Sequence, residues 1–491
     1  MTDETPLEHE RRAKVERMRA AGREPFPWSF VGRVPTDRVR ALALPLKPGE
    51  ENAEHTLRVA GRVRATRVHG KTAFADIEDR AGSLQLLMRA DAMGEAAFQA
   101  ALGDIDPGDI VGAEGYPALS KRGEPSLHVL SAALLAKAIA PPPEKYHGLT
   151  DTEERLRRRY LDLLSSEDAR GLFRARTLIL REIRRYLDTR EFLEVETPIL
   201  LPVASGAAAR PFVTHSRYLD LDLQLRISLE LPLKRLLVGG LERVYELGRS
   251  FRNEDLDSTH SPEFTELEIY WAYADYHDMR QLTEGLFAHL AEAVRRILPD
   301  SAAAQKAAND FTPPFATIDF VEELEKRSGI TDLLTKSTDE LRTLARQAGS
   351  TVPEASTAGT FLDKLFEHYV EPHIDRLTFV VDHPATTTPL AKRHRSKPGR
   401  VERFEMFYPG FELGNAYSEL NDPDEQERRF QEQLGSQGEE TYAYDEDFVR
   451  ALRHGMPPAT GIGLGVDRLV MALTGTPSIK EVLLFPLVRP R

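Results

Sequence analysis

The chain has 491 residues, 41% hydrophobic and 29% charged, with a net charge of −13 and no cysteine. That length suits about three domains with more than one core. The negative balance argues against nucleic-acid binding driven by bulk charge, and the absence of thiols excludes disulfides, thiolate metal sites and a cysteine nucleophile. The opening MTDETPLEHERRAKVERMRAAG lacks the apolar core of a signal peptide. No run of roughly eighteen apolar residues reads as a membrane span, so cytoplasmic residence is expected.

Residues 7–21 suit a basic helix closed by Gly22, with Leu7, Val15 and Met18 as its few apolar positions. It is compatible with a solvated helix or with an arm that touches RNA. Residues 24–54 are proline-rich and irregular, a wrap around the next domain. From Leu57 the texture changes to short alternating segments with glycine breaks, LRVAGRVRATRV, TAFADIEDRAG, SLQLLMRA, DIVGAEGYPAL and PSLHVLSAALLAKA. That is a module of about five strands, the size of an OB-fold barrel. Arg62, Arg64, Arg67, Phe74 and Gln85 fall on its early strands. An exposed aromatic among arginines suits stacking of single-stranded bases; core packing is the other role open to Phe74. IAPPPEKYHGLT (139–150) reads as a linker.

Residues 151–164 read as a charged helix, and 170–190 as a second, with Ile179, Ile183 and Leu187 spaced by four. The second helix runs into FLEVETPIL, a strand ending at Pro198. ASGAAARPFVTH (204–215) is a small-residue loop where backbone can approach a ligand. RISLELPLKRLLVGG turns from strand to helix with Glu230 at the join, and 277–298 is an amphipathic helix. The domains expected are 1–55, a helix and wrap; 56–140, the barrel; 141–170, a linker or hinge; and 171–491, a larger α+β domain. Within the last, 300–375 is a helix-rich insertion with no chemical cluster.

The stretch with most chemistry is GRSFRNEDLDSTHSPEFTELEIYWAYA (248–274), read as strand, loop, strand. Side chains two apart share a strand face, so Arg252 pairs with Glu254, and Phe264, Glu268 and Tyr270 lie opposite Leu267, Ile269 and Trp271. FEMFYPGFELGNAYSEL (404–420) is a hairpin about Pro409-Gly410 that brings Glu405 and Glu412 onto neighbouring strands, with Asn415, Tyr417 and Glu419 on one face. In GIGLGVDRLVMAL, Gly461, Gly463 and Gly465 leave one strand face bare, either for a flat ligand or for close packing. It is not a dinucleotide fingerprint, because it lacks the third-glycine spacing and a following βαβ unit.

Arg252 and Arg468 suit a polyphosphate, Phe264 and Arg468 the two faces of a base. Glu405 and Glu412 suit magnesium, which is usually held by one or two carboxylates plus substrate phosphates. No Ser/His/Asp set is evident, so the chemistry expected is nucleotidyl transfer by positioning and charge stabilisation. Glu230, Glu268 and Glu419, with Tyr270 and Asn415, make an acidic pocket fit for a diamino acid whose carboxylate Arg252 holds.

These segments resemble the three signature motifs of class II aminoacyl-tRNA synthetases: FLEVETPIL, then FRNE with HSPEFTELEIY, then GIGLGVDRL. GAAARPFVTH, RISLELPLKRLLVGGLERVYELGRSFRNE, SELND and LLFPLVRP are similar to the bacterial-type lysyl-tRNA synthetases of class IIb, and the likeness spans nearly the whole chain. The resemblance implies an N-terminal OB-fold, a catalytic domain on an antiparallel sheet with flanking helices, and ATP-dependent activation of L-lysine followed by transfer to tRNA(Lys). It implies that Arg252 and Arg468 are catalytic, and that Arg252, Asn253, Glu254, His260, Phe264, Glu405, Gly465 and Arg468 bind ATP. Gly206, Glu230, Arg252, Glu268, Tyr270, Asn415, Tyr417 and Glu419 would bind lysine; Glu405 and Glu412 would ligate Mg2+, with about three ions per site. Arg67, Phe74 and Gln85 would read the anticodon, and Pro198 would lie in a homodimer interface. Two departures fall near the lysine pocket. Ser205-Gly206 replaces the family's Gly-Gly, and Ala416-Tyr417 replaces Gly-Phe, so the Tyr417 hydroxyl either tightens the pocket or meets water.

Overall fold

Alternating apolar positions and long amphipathic helices divide the chain into two compact units, Met1–Thr150 and Asp151–Arg491. The computed structural model describes residues 4–143, 149–351, 356–434 and 444–490. Residues 144–148 of the expected linker and 352–355 of the expected insertion lie outside the described residues, as does the terminal Arg491.

In the first unit, helix α1 (Pro6–Ala20) opens on a capping box between Thr5 and Glu8. Only Arg11, Val15 and Met18 are buried, and Arg11 donates to the carbonyls of Ala138 (2.6 Å) and Pro107 (3.0 Å). The stretch expected to be irregular contains a helix, α2 (Thr36–Ala43). Its Val39 and Ala43 are buried, with Val39 packing into the barrel core, so tertiary burial overrides the proline-rich surroundings. Strands β1 (Leu57–His69), β2 (Thr72–Asp79), β3 (Gly82–Arg89), β4 (Ile110–Leu119) and β5 (Pro125–Ala136) close a barrel in the order β1-β2-β3-β5-β4. Every second side chain, such as Ala73, Ala75 and Ile77 on β2, turns into one core. Helix α3 (Glu95–Asp104), for which no strand pattern prepares, sends Phe98 into that core.

The second unit begins with two short helices, Thr152–Arg157 and Arg159–Ser165, where one charged helix was expected. The break is at Arg158, whose φ −114 and ψ 52 leave the helical region. Then come α4 (Glu167–Asp188), β6 (Leu193–Glu194), α5 (Glu230–Val238), β7 (Arg243–Phe251), β8 (Glu263–Ala272), α6 (Tyr276–Ile297), β9 (Ala316–Asp319), β10 (Thr378–Val381), β11 (Arg403–Tyr408), β12 (Phe411–Ser418), α7 (Glu446–Leu452), β13 (Ala459–Gly465) and α8 (Val466–Thr474). The strand expected across FLEVETPIL is only the two residues of β6, pairing parallel to β7; Pro198 cannot extend the ladder.

The main sheet runs β9-β10-β11-β12-β13-β8-β7-β6, antiparallel except at β9–β10 and β7–β6. Leu267, Ile269, Ile462 and Leu464 pack one face against α4, α6 and α8. On the opposite face, α5 and α7 cover Tyr270 and Tyr417. Residues 300–375 supply the edge strand β9, and their helices 320–328, 338–347 and 358–369 form a cluster of their own with Val380 and Phe407. A separate ribbon of three short strands spans 200–225.

Candidate active site

The β7–β8 hairpin pairs Glu246 with Glu268, Gly248 with Glu266 and Ser250 with Phe264. Strand alternation therefore turns Phe264, Glu266, Glu268 and Tyr270 away from the helices that Leu267 and Ile269 meet. Those four line a cavity of about 400 Å³ with Gly206, Glu230, Arg252, Glu254, His260, Glu412, Asn415, Tyr417, Arg468 and the three glycines of β13. Asn253, Glu405 and Glu419 are not among its lining residues. A bulge sets the far wall. Phe407 faces Glu412 but Met406 faces Gly414, so Leu413 is the extra residue. The bulge changes the alternation, and Glu412 and Asn415, three apart, reach the same cavity.

One end of the cavity is cationic. The Arg252 guanidinium lies 5.1 Å from the Phe264 ring centroid, and its Nε donates to the Ile227 carbonyl at 3.3 Å. Arg468, on the first turn of α8, donates to the carbonyls of Thr259 (3.1 Å) and Glu412 (2.9 Å) and to His260 Nε2 (2.9 Å). An arginine can only donate, so Nε2 accepts and His260 Nδ1 carries the proton, pointing at Asp257 Oδ2 2.8 Å away. Burial lowers the Arg468 pKa, and Glu412 opposes that fall. Glu254 accepts from the Arg210 backbone at 3.2 Å, while Asn253 is exposed and its backbone donates to the Arg210 carbonyl.

Beside this end, Glu405 is held 2.5 Å from Arg403 Nη2. Burial raises the Glu412 carboxyl, and the Glu405 carboxylate pushes it further in the same direction. Two carboxylates in mutual repulsion fit a divalent cation. Among the described residues, no three His, Cys, Asp or Glu side chains gather as a metal cage.

The other end is acidic and already hydrogen-bonded. Glu268 accepts from Ser228 Oγ (2.9 Å), the Leu229 backbone (3.0 Å) and the Tyr270 hydroxyl (2.8 Å). Burial raises its carboxyl well above the usual range, with Glu266 and Glu230 adding to the effect. Glu230, on the first turn of α5, accepts from the Tyr417 hydroxyl at 2.5 Å. Gly206 has φ +92, and a side chain there would meet Ser228 and Glu230 within 3.4 Å. Ser205 donates to Asp445 at 3.0 Å, tying the loop to the N-cap of α7. A Cβ at Gly461 would lie 2.3 Å from Glu419 Oε1 and 2.4 Å from the Tyr270 ring, so only glycine fits.

Sequence reasoning missed Ser228, Glu266, Thr388 and Arg403, which also line the cavity, and the buried Lys234. Glu266 was available from the alternation that gave Phe264 and Glu268, and Lys234 from its spacing of four after Glu230. Thr388 carries no local signal.

On the barrel, Arg67 pairs across the ladder with Phe74, and Asp76 with Gln85, so Arg67, Phe74 and Gln85 share one outer face. Phe74 is half-buried and outside the barrel core, which removes the core role left open for it. Arg67 forks onto Asp76 at 2.9 and 3.0 Å, and Gln85 accepts from Ser126 at 3.1 Å. His69 stands edge-on to Phe74 at 6.3 Å.

Residues 151–489 match the tRNA synthetases class II (D, K and N), and residues 57–135 match the OB-fold nucleic acid binding domain of the anticodon-binding type. The chain belongs to the class II tRNA synthetases of that group. Within it, the chain is similar to proteins named Lysine--tRNA ligase. That of Moorella thermoacetica is 45% identical over 97% of this chain and 96% of its own length. That of Roseiflexus castenholzii is 46% identical over 99% of both chains, and that of Deinococcus radiodurans 49% identical over 91% and 84%.

Proposed function

We propose that the protein activates L-lysine with ATP to lysyl-adenylate and transfers the lysyl group to tRNA(Lys). The observation that carries this reading is the acidic end of the cavity, with Glu230 and Glu268 in its wall, adjoining an end that holds Arg252 and Arg468. In the first step a lysine carboxylate oxygen attacks the α-phosphorus of ATP and diphosphate leaves. In the second, a terminal ribose hydroxyl of the tRNA attacks the lysyl carbonyl and AMP leaves. Arg252 orients the carboxylate toward the α-phosphate and stabilises charge as it develops there. Phe264 and Arg468 sandwich adenine, with Arg468 also near the γ-phosphate; Asn253, Glu254, His260 and Gly465 complete the nucleotide site. Glu405 and Glu412 would hold Mg2+, which when bound would neutralise phosphate charge.

Glu230 takes the α-amine, and Glu419 with Tyr270 the ε-amine; Gly206, Glu268, Asn415 and Tyr417 shape the pocket around them. Residues 56–140 read the anticodon through Arg67, Phe74 and Gln85. The remaining divisions proposed are 1–55 as helix and wrap, 141–170 as hinge and 171–491 as catalytic domain with 300–375 inserted. A homodimer is part of the same proposal, supported by the exposed Ile199, Leu200, Val203, Val213 and Leu221 beside Pro198. Among the described residues no helix is long and apolar enough to cross a membrane; cytoplasmic residence is proposed from the activity. Lysine-dependent ATP–diphosphate exchange tests the reading. Exchange with lysine and none with aspartate is expected, and the reverse would overturn it.

A further inference from the structure

The acids expected in the pocket come with a cation of their own. Lys234 lies one turn after Glu230 on α5, with no exposed surface. Its Nζ stands 2.5 Å from Glu230 Oε1 and 2.5 Å from Glu419 Oε2. The ammonium lies 5.4 Å from the Tyr417 ring centroid and 5.8 Å from that of Phe448 on α7. The Tyr417 hydroxyl donates to the same Oε1 of Glu230. The other titratable groups at this cluster are Glu268 and Tyr270 of β8, which bond one another, and Asp445, which Arg235 holds at the start of α7. Burial works against the Lys234 charge, but Glu230 and Glu419 outweigh it and raise its pKa.

The ammonium makes its close contact with one oxygen of each acid. Lys234 and Tyr417 both hydrogen-bond to Oε1 of Glu230, and Glu230 itself lines the cavity. On Glu419, Lys234 lies against Oε2 as an ion pair, and both carboxylate oxygens are buried without an aligned hydrogen-bond donor. Oε1 is the atom pressed toward the bare position at Gly461, beside the Tyr270 ring. An unpartnered buried carboxylate oxygen is costly and calls for a cationic partner.

We propose that Lys234 is a positioning residue for amino-acid specificity: its ammonium ties one oxygen of Glu230 and one of Glu419, and so aims the second oxygen of each at a substrate amine. This rests on the lysine-activating reading above. Without the ammonium the two carboxylates repel across a dry gap, turn, and hold protons to higher pH.

The test is ATP–diphosphate exchange by the full-length protein and its Lys234→Met and Lys234→Gln variants, with circular dichroism to check folding. Wild-type exchange with lysine must be present first; its absence would count against the functional reading and not against Lys234. The variants are expected to raise the lysine KM by about 10- to 100-fold at neutral pH while the ATP KM stays within about twofold. Their lysine KM should fall back toward wild type as the pH is raised from roughly 7 to 9. Three results would overturn the proposal: an unchanged lysine KM, lysine and ATP KM rising together, or an increase by the same factor at every pH. Failure of both variants to fold would also overturn it, assigning Lys234 to the fold.

Discussion

The two ends of the cavity are built on opposite plans. At the amino-acid end, Glu230, Glu268, Tyr270, Tyr417 and Lys234 are buried and bonded to one another. At the nucleotide end, Arg252 and Phe264 are half-exposed and rest on each other, Glu254 and His260 are exposed, and Arg468 leans on backbone carbonyls. Under the proposed function, the difference suits the task of each end. Selecting one small amino acid needs donors and acceptors fixed in advance, so that a wrong side chain leaves a buried group unpaired. Gripping a large polyanion needs charges that can leave weak partners and turn to phosphate.

Breaking the nucleotide end should cost most. Arg252→Ala removes the guanidinium proposed to hold both reactants, and exchange should drop by about 10²- to 10³-fold; near-normal exchange would take Arg252 out of the mechanism. Gly461→Ala attacks the rigidity of the other end. The added Cβ would displace Glu419 and Tyr270, so the lysine KM should rise by about 10²-fold with the ATP KM unchanged. Equal damage to both KM values would show that the ends are not independent.

Glu419→Gln tests the charge itself and should raise the lysine KM about 30-fold. Burial pushes the Glu419 carboxyl up to about 8, with Lys234 opposing and Glu230 adding to the rise. The carboxylate, not the acid, takes an ammonium, so the lysine KM of the free wild-type protein should fall as pH rises through about 8. Glu419→Gln should flatten that profile, and a profile unchanged by the substitution would place the titration elsewhere. The smallest effect is expected from Tyr417→Phe, which removes one hydroxyl from Glu230 and should raise the lysine KM about fivefold. A larger rise in the ATP KM would mean that the hydroxyl serves the nucleotide end.

Much of the site was legible because strand alternation is local. Phe264, Glu268 and Tyr270 fall on one face whatever the strand pairs with, and Asn415 and Tyr417 do the same. Glu412 was legible as a carboxylate but not as a neighbour of Asn415 in one wall, because the bulge at Leu413 breaks the alternation. Glu266 was overlooked on a face already identified. The helix at Thr36–Ala43 was hidden by prolines around it and exists because the barrel core accepts Val39.

By itself, the sequence determined which residues could share a strand face or a helix turn, where glycine left backbone bare, and hence the barrel, the two hairpins and their chemistry. Those are consequences of backbone geometry over a few neighbouring residues. Only the tertiary structure decided that Glu230 and Glu419 meet on a single ammonium, that the Tyr417 hydroxyl turns inward, and that Gly461 must stay bare for Glu419. Those contacts join residues far apart in the chain. They depend on strand order, on one bulge and on the depth of burial, none of which local periodicity encodes.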